Sequence, residues 1–389
     1  MNAFPVTLQS RLPHVGTTIF SVMSALASET GAVNLGQGFP DFGCDPRLPE
    51  AVTRAMQAGH NQYPPMPGVP ALRQAIAHKV HTLYGGLYDP HTEVTVTAGA
   101  TQAILTAILA FVHPGDEVMV LEPCYDSYVP NIELAGGVVV RVPLTPGTFR
   151  PDFDRMAQAL SPRTRALIIN SPHNPSGMVW SSDDMRQLEA LLAPTQVMVI
   201  SDEVYEHMVY DGRAHESVAR YPGLAARSIV VSSFGKTYHV TGWKVGYVVA
   251  PAPLMAEFRK VHQFNVFTVN TPMQHGLADY MADPAPYLQL PALYAAKRDL
   301  FRLGLSGTRF RLLPCEGTYF QCVDYSGVAV PEKDLPEADF CQWLTREVGV
   351  AAIPLSAFYG HGFDQKVIRF CFAKQDATLR AALTRLARL

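Results

Sequence analysis

The sequence predicts an α/β protein: a large domain with a mostly parallel, seven-stranded sheet covered by helices, joined to a smaller α+β domain. Three observations carry this. Seven short apolar runs, rich in Val and Ile, recur between residues 93 and 250. Helical stretches are interleaved with them, an order that calls for crossover connections and parallel neighbours. The chain, at 389 residues, also exceeds one typical core, so a second unit is expected.

Taken in order, residues 1–45 form an arm, rich in Pro and Gly as far as "LGQGFPDF", expected to pack with the small domain as well as the large one. Within it, "TTIFSVMSALAS" (17–28) has the modestly apolar centre of a leader peptide. Ser21 and Ser24 interrupt that centre, and the spacing suits an amphipathic helix at least as well. The large domain is expected over 46–285. Its helices include "ALRQAIAHKVHTLY" (71–84) and "TQAILTAILAFV" (101–112). Its strands are read at 93–97, 117–123, 138–142, 166–170, 197–203, 228–233 and 245–250, all as buried runs bounded by turn formers. Helices at 254–264 and 286–305 lead into the small domain, 286–389, with strands in "TYFQCVD" (318–324), "VAAIP" (350–354) and "KVIRFCFA" (366–373) and a closing helix at 377–389.

Composition excludes several classes. Apolar residues make up 48% and charged residues 17%, a balance that favours a packed core over disorder. The formal charge of −3 gives no bulk attraction to nucleic acid or an anionic membrane, and no apolar run approaches the ~20 residues that span a bilayer. The six cysteines are scattered without a CxxC pair, which fits free thiols in a reducing, cytoplasmic compartment. His78 and His81 share a helix face but no further ligands stand nearby, so no metal site is expected.

Ligands of open parallel sheets bind beyond the carboxyl ends of the strands, and those ends are chemically distinctive. "EVTVT" runs into a small-residue turn that presents the N–H groups of Ala100 and Thr101 to an anion. The second strand ends in Pro123 with Tyr125 just beyond, where a flat ring could be stacked. "ALIINSPHNPSG" carries Asn174 in a rigid turn, "VMVISDEVY" carries Asp202 and Tyr205, and "SIVVSSFGK" ends in Ser233 and Lys236, with Lys244 eight positions on. Singly, Ser233, Thr101 and Asn174 read as ordinary turn residues, and Lys236 reads equally as an exposed loop lysine or as one drawn inward for chemistry. Together they suit one ligand, pyridoxal 5′-phosphate (PLP). It needs a lysine amine (Lys236), an acid beside its ring nitrogen (Asp202), a donor near its phenolate oxygen (Tyr205) and a stacking ring (Tyr125). It also needs an anion cup with a cation, here Ser233, Lys244 and the 100–101 turn.

The stretches "SSFGKTYHVTGWKVGY", "SPHNPSG", "SDEVYEHMVYDG", "NLGQGFPDF", "NQYPPMPGVPALR" and "IRFCFAK" resemble the fold-type I, class I/II aminotransferases, nearest to their methionine and kynurenine aminotransferase branch. The resemblance runs from about residue 15 to the end. It implies that Lys236 holds the cofactor covalently, that Lys244 faces its phosphate, and that Asp202 keeps its ring nitrogen protonated. It further implies that Tyr205 and Asn174 bond the phenolate oxygen and that Tyr125 stacks on the ring. Arg369 would hold the substrate α-carboxylate, which suits a forked donor, with a backbone contact from Gly38. Tyr63 would reach the phosphate of a neighbouring subunit, implying a homodimer with shared active sites. Glu122-Pro123 and Asn174-Pro175 become candidates for cis bonds. Glu203, His207, Tyr210 and Trp243 are read as packing and His173 as a turn residue.

The expected reaction is a ping-pong transfer of an amino group to a 2-oxo acid. No arginine is available for a distal carboxylate. The residues that the resemblance puts near the side-chain pocket, Ile19, Phe39, Phe267 and Phe358, are apolar, which favours methionine, phenylalanine, tyrosine, tryptophan or kynurenine. Such a pocket separates these poorly, because a methylene is worth only about 1–3 kcal/mol. Two alternatives are weighed. The same residues can run β-elimination, as in cysteine-conjugate C–S lyases. Related domains also serve as ligand sensors in transcription regulators, but a resemblance starting near residue 15 leaves no room for a helix-turn-helix.

Overall fold

The computed structural model describes residues 6–330 and 334–389. The seven runs form one sheet: β1 (Val94–Thr97), β2 (Glu117–Glu122), β3 (Val138–Pro143), β4 (Thr164–Asn170), β5 (Met198–Asp202), β6 (Ser228–Ser233) and β7 (Gly246–Val249). Their spatial order is β1-β7-β6-β5-β4-β2-β3. Every pairing from β6 to β3 is parallel, whereas β7 is antiparallel to both its neighbours. The cause is local. The β6–β7 connection holds only the short helix Phe234–Thr237 and a turn at Thr241–Trp243. That is too little chain to cross the sheet, so the strand folds straight back.

Side chains alternate between the two faces with the period of two that a strand imposes. On β4, Leu167 and Ile169 join one core while Ala166 and Ile168 join the other. Helices Pro70–Tyr84 and Ser182–Leu192 cover the first face through Leu72, Ile76, Met185 and Leu188. Helices Ala100–Phe111 and Ala252–Asn265 cover the second through Ile104, Ile108, Met255 and Phe258. Each such side chain contributes about 1.5–3 kcal/mol on full burial. One expectation is corrected here. The run at 138–142 is only partly buried, because β3 is the edge of the sheet: Val142 joins the core while Val138 stays exposed.

A second, antiparallel sheet has the order Ile353–Pro354, Val367–Cys371, Phe320–Asp324, Arg311–Leu312 and packs on helices Leu290–Leu305 and Asp376–Leu386. The apolar run at 350–354 is split: Val350–Ala351 leaves this sheet and pairs in parallel with Val33–Asn34 of the arm. Leu35 is tied on both sides, its N–H to the Ala351 carbonyl and its carbonyl to the Cys371 N–H. Ahead of it, Ile19–Thr30 is an amphipathic helix, capped by the Thr18 hydroxyl and closed by Gly31 at φ 65°, that buries Met23, Leu26 and Ala27. Among the described residues no helix is long and apolar enough to cross a membrane.

Candidate active site

Strand register brings the polar strand ends to one edge. Asn170 lies opposite Asp202, Ser233 opposite Gly246, and Gly246 opposite Thr97. Gly246 is required there: a Cβ would stand 2.6 Å from the Ser232 carbonyl oxygen. Beyond this edge is a cavity of about 320 Å³. From the large sheet it is lined by Asp202, Tyr205, Asn174, Tyr125, Ser233 and Lys236, with Ala100, Thr101 and Lys244. From the arm and the second sheet come Gly38, Phe39 and Arg369. The Glu122-Pro123 and Asn174-Pro175 bonds are cis, as is Ser171-Pro172, which the sequence did not suggest.

Lys236 is drawn inward by the tight β6–β7 connection. Its Nζ donates to the Tyr319 hydroxyl at 3.1 Å and the Gly38 carbonyl at 3.3 Å. Burial drives its pKa down to about 8, with the nearby cations Lys244 and Arg369 acting in the same direction. Asp202, 4% exposed, accepts a hydrogen bond from the Tyr128 hydroxyl at 2.5 Å and weakly from the Val204 N–H. Burial nevertheless pushes its carboxyl up to about 6. Tyr205 stands edge-on to Tyr319, and burial holds its hydroxyl firmly neutral, a donor rather than an anion.

An anion cup is assembled where β1 meets helix Ala100–Phe111. Gly99 holds φ 79°, a conformation that favours glycine, and its missing side chain leaves the Lys244 ammonium 3.5 Å from where a Cβ would be. The N–H groups of a helix start and a lysine therefore converge. Arg369 supplies the opposite end. It is 1% exposed, donates to the Asn174 amide oxygen (2.7 Å) and the Gly36 carbonyl (3.1 Å), and stacks 3.9 Å over Phe320. Its Nε has no partner, and among the described residues no carboxylate forms an ion pair with it. A buried guanidinium without a counter-charge is costly, and burial lowers its pKa. An incoming carboxylate would complete it.

Four residues named from the sequence lie away from this wall. Ile19 packs half-buried against the core while its neighbour Phe20 lines the cavity, 5.4 Å from the Arg369 guanidinium. Phe358 is buried behind Phe20, the two rings 5.9 Å apart. Tyr63 and Phe267 stack edge-on at 5.2 Å on the surface, Tyr63 being 82% exposed. Glu203 points away as expected, accepting from Ser201 Oγ and lying 2.8 Å from His215. His173, lowered to about 4 by burial, is neutral between Ser176 and the Pro123 carbonyl. Sequence reasoning missed Phe20, Asp126, Tyr128, Asn170 and Tyr319. Of these, Phe20 and Asp126 each stood beside a residue already singled out, Ile19 and Tyr125.

Unpaired charges at both ends, a cation at a helix start, and a lysine between them fit PLP in this cavity. Fold and cavity together define a PLP-dependent transaminase of fold type I. Residues 30–386 match the family "Aminotransferase class I and II", and the chain belongs to it. It is 53% identical to a methionine aminotransferase of Escherichia coli over 99% of both chains, and the solved structure of that protein superposes with a TM-score of 0.96 over 99% of this chain and 100% of that one. The N-succinyldiaminopimelate aminotransferase of Mycobacterium tuberculosis is 42% identical with a TM-score of 0.92, covering 98% of this chain and all of that one. A kynurenine–oxoglutarate transaminase of Rattus norvegicus is 36% identical, covering 97% of this chain and 96% of that protein. The enzyme therefore uses PLP, and its substrates are amino acids and 2-oxo acids.

Proposed function

We propose that this aminotransferase moves the amino group of hydrophobic, aromatic or sulfur-containing L-amino acids, methionine foremost, to a 2-oxo acid in two ping-pong half-reactions. One observation carries the substrate class. Arg369 can pair with a single carboxylate, and the wall around it is aromatic, with Phe20 and Phe320 against its guanidinium. The names of the methionine and kynurenine enzymes among the relatives support the same class.

PLP, when bound, supplies an electrophilic carbon and an electron-accepting ring. Ala100, Thr101, Ser233 and Lys244 would hold its phosphate, Tyr125 would stack on its ring, and Tyr205 with Asn174 would bond its phenolate oxygen. Asp202 would hold the proton on its ring nitrogen. Lys236 would anchor it and, once displaced by the substrate amine, move the proton from the substrate α-carbon. A pKa of about 8 gives that amine a sizeable neutral fraction near neutral pH. Arg369 and the Gly38 backbone would orient the substrate so that this carbon meets Lys236.

We also infer a homodimer. Tyr63 and Phe267 form an exposed aromatic pair of the kind that a partner covers, consistent with Tyr63 reaching the partner subunit's phosphate site. The division into an arm (1–45), a large domain (46–285) and a small domain (286–389) belongs to the same reading. A cytoplasmic location is supported by six free cysteines, all but Cys44 buried.

The test is the visible absorbance of the purified protein before and after methionine is added without an acceptor. A shift to the aminated cofactor, reversed by a 2-oxo acid, is expected. An unshifted chromophore would exclude methionine. Pyruvate released from a cysteine conjugate without any acceptor would mark a C–S lyase instead.

A further inference from the structure

We infer that Asp126 sets the charge selectivity of the side-chain pocket: its carboxylate turns away amino acids bearing a second carboxylate and offers an acceptor to side chains ending in an N–H donor. This rests on the aminotransferase reading above and deepens it.

Among the described residues the cavity wall carries two carboxylates, Asp202 and Asp126. Asp202 is held at its strand end by the Tyr128 hydroxyl. Asp126, in the turn that follows β2, is different. It is half-buried, and among the described residues no other residue donates a hydrogen bond to its carboxylate. Burial raises its pKa and the field of Arg369 opposes that rise, so the two charges act on each other across the same wall. A half-buried carboxylate without a donor from its surroundings costs stability rather than adding to it. Its benefit has to lie in what enters the cavity.

The balance of charge decides what that is. The cations on the wall are Lys236, Lys244 and Arg369. The first two belong to the cofactor half, and Arg369 is matched by the substrate α-carboxylate. A second carboxylate on the substrate would find no free cation on the wall and would face Asp126 across the same cavity, where like charges repel. An amide, aryl amine or indole N–H would instead find an acceptor.

The test uses the holoenzyme and the near-isosteric Asp126→Asn. Two quantities are compared with wild type: the kcat/KM ratio of L-glutamate to L-methionine, and the affinity for the unreactive acids succinate and 3-phenylpropionate. In the variant the ratio should move toward glutamate by about tenfold, the equivalent of one pKa unit of electrostatic interaction. The change should fall mainly on KM, and succinate should tighten relative to 3-phenylpropionate. A ratio within about twofold of wild type, or equal weakening of both acids, would overturn the inference and leave Asp126 as a residue that merely positions Arg369. Absence of any methionine turnover in wild type would sink the preceding proposal instead. The binding comparison would still decide the role of Asp126.

Discussion

Two buried carboxylates four residues apart, Asp202 and Glu206, have opposite fates. Glu206 accepts hydrogen bonds from Lys79 (2.6 Å), Tyr84, Ser232 and Tyr247. Burial alone would raise its pKa, yet the Lys79 ammonium and these donors hold it well below the usual carboxylate range. Asp202, as deeply buried, has no ion-pair partner among the described residues and is pushed up by burial to about 6. The arginines repeat the contrast. Arg298 pairs with Asp211 and Asp299 and is raised, whereas Arg369 pairs with no carboxylate among the described residues and is lowered by burial. A charge that serves the fold is neutralised by the fold. One reserved for a ligand is left incomplete, and the scaffold bears the cost.

The largest effect should come from Lys236→Ala, which removes the side chain proposed as both anchor and base. Turnover should fall by roughly 10⁴-fold, while cofactor absorbance persists after gel filtration in PLP-containing buffer, because the anion cup is intact. Near-normal turnover would remove Lys236 from the chemistry altogether.

Next comes the pair that sharpens the contrast. Asp202→Asn should lower kcat by about 10²–10³-fold, the scale of losing one preorganised electrostatic group, with thermal stability of the cofactor-free protein unchanged or improved. Glu206→Gln should do the reverse. It leaves the buried Lys79 charge poorly matched and should cost about 3–5 kcal/mol in chemical denaturation, with a far smaller effect on kcat. If both variants lost stability equally, the distinction between the two carboxylates would collapse. Arg369→Ala then tests the other unpaired charge: KM for methionine should rise by about 10–100-fold, the worth of a charge-assisted hydrogen bond, with kcat reduced less. An unchanged KM would take the carboxylate role away from Arg369.

How much of this was readable beforehand follows the same division. The seven strands were legible because β-branched runs declare themselves locally, and the strand-end residues Asn174, Asp202, Ser233 and Lys236 were legible because topology sends ligands there. Sheet order is not a local property, which is why the run at 138–142 reads as a buried strand and why the division of the 350–354 run between two sheets is not legible in the sequence. Neighbours contributed from far along the chain were also hidden. Tyr128 meets Asp202 across 74 residues, and Tyr319 meets Gly38 across 281. Ile19 and Phe20 are neighbours on a helix, where one step turns a side chain by about 100°, and it is Phe20 that lines the cavity. The motif identified the segment but not its facing side chain.

Tyr128 offers the smallest and most specific test, since its hydroxyl donates to Asp202. Removing its hydroxyl with Tyr128→Phe deletes a donor to the carboxylate and should raise the Asp202 pKa further. A hydrogen bond to a charged acceptor is worth about 1.5–3 kcal/mol, and one pKa unit is about 1.4 kcal/mol, so a rise of roughly one to two units is expected. In the cofactor-free protein the Asp202 pKa is already above its unfolded value of about 3.9. Its contribution to stability is therefore fully present below about pH 4 and is lost as pH rises through about 6. In the variant that loss should extend to higher pH, visible in denaturation midpoints compared with wild type between pH 4 and 8. In the holoenzyme the acid limb of the kcat profile should move to higher pH, so that the deficit is several-fold near pH 6 and shrinks by pH 8. A deficit equal at every pH would mean that Tyr128 serves packing and not the ionisation of Asp202.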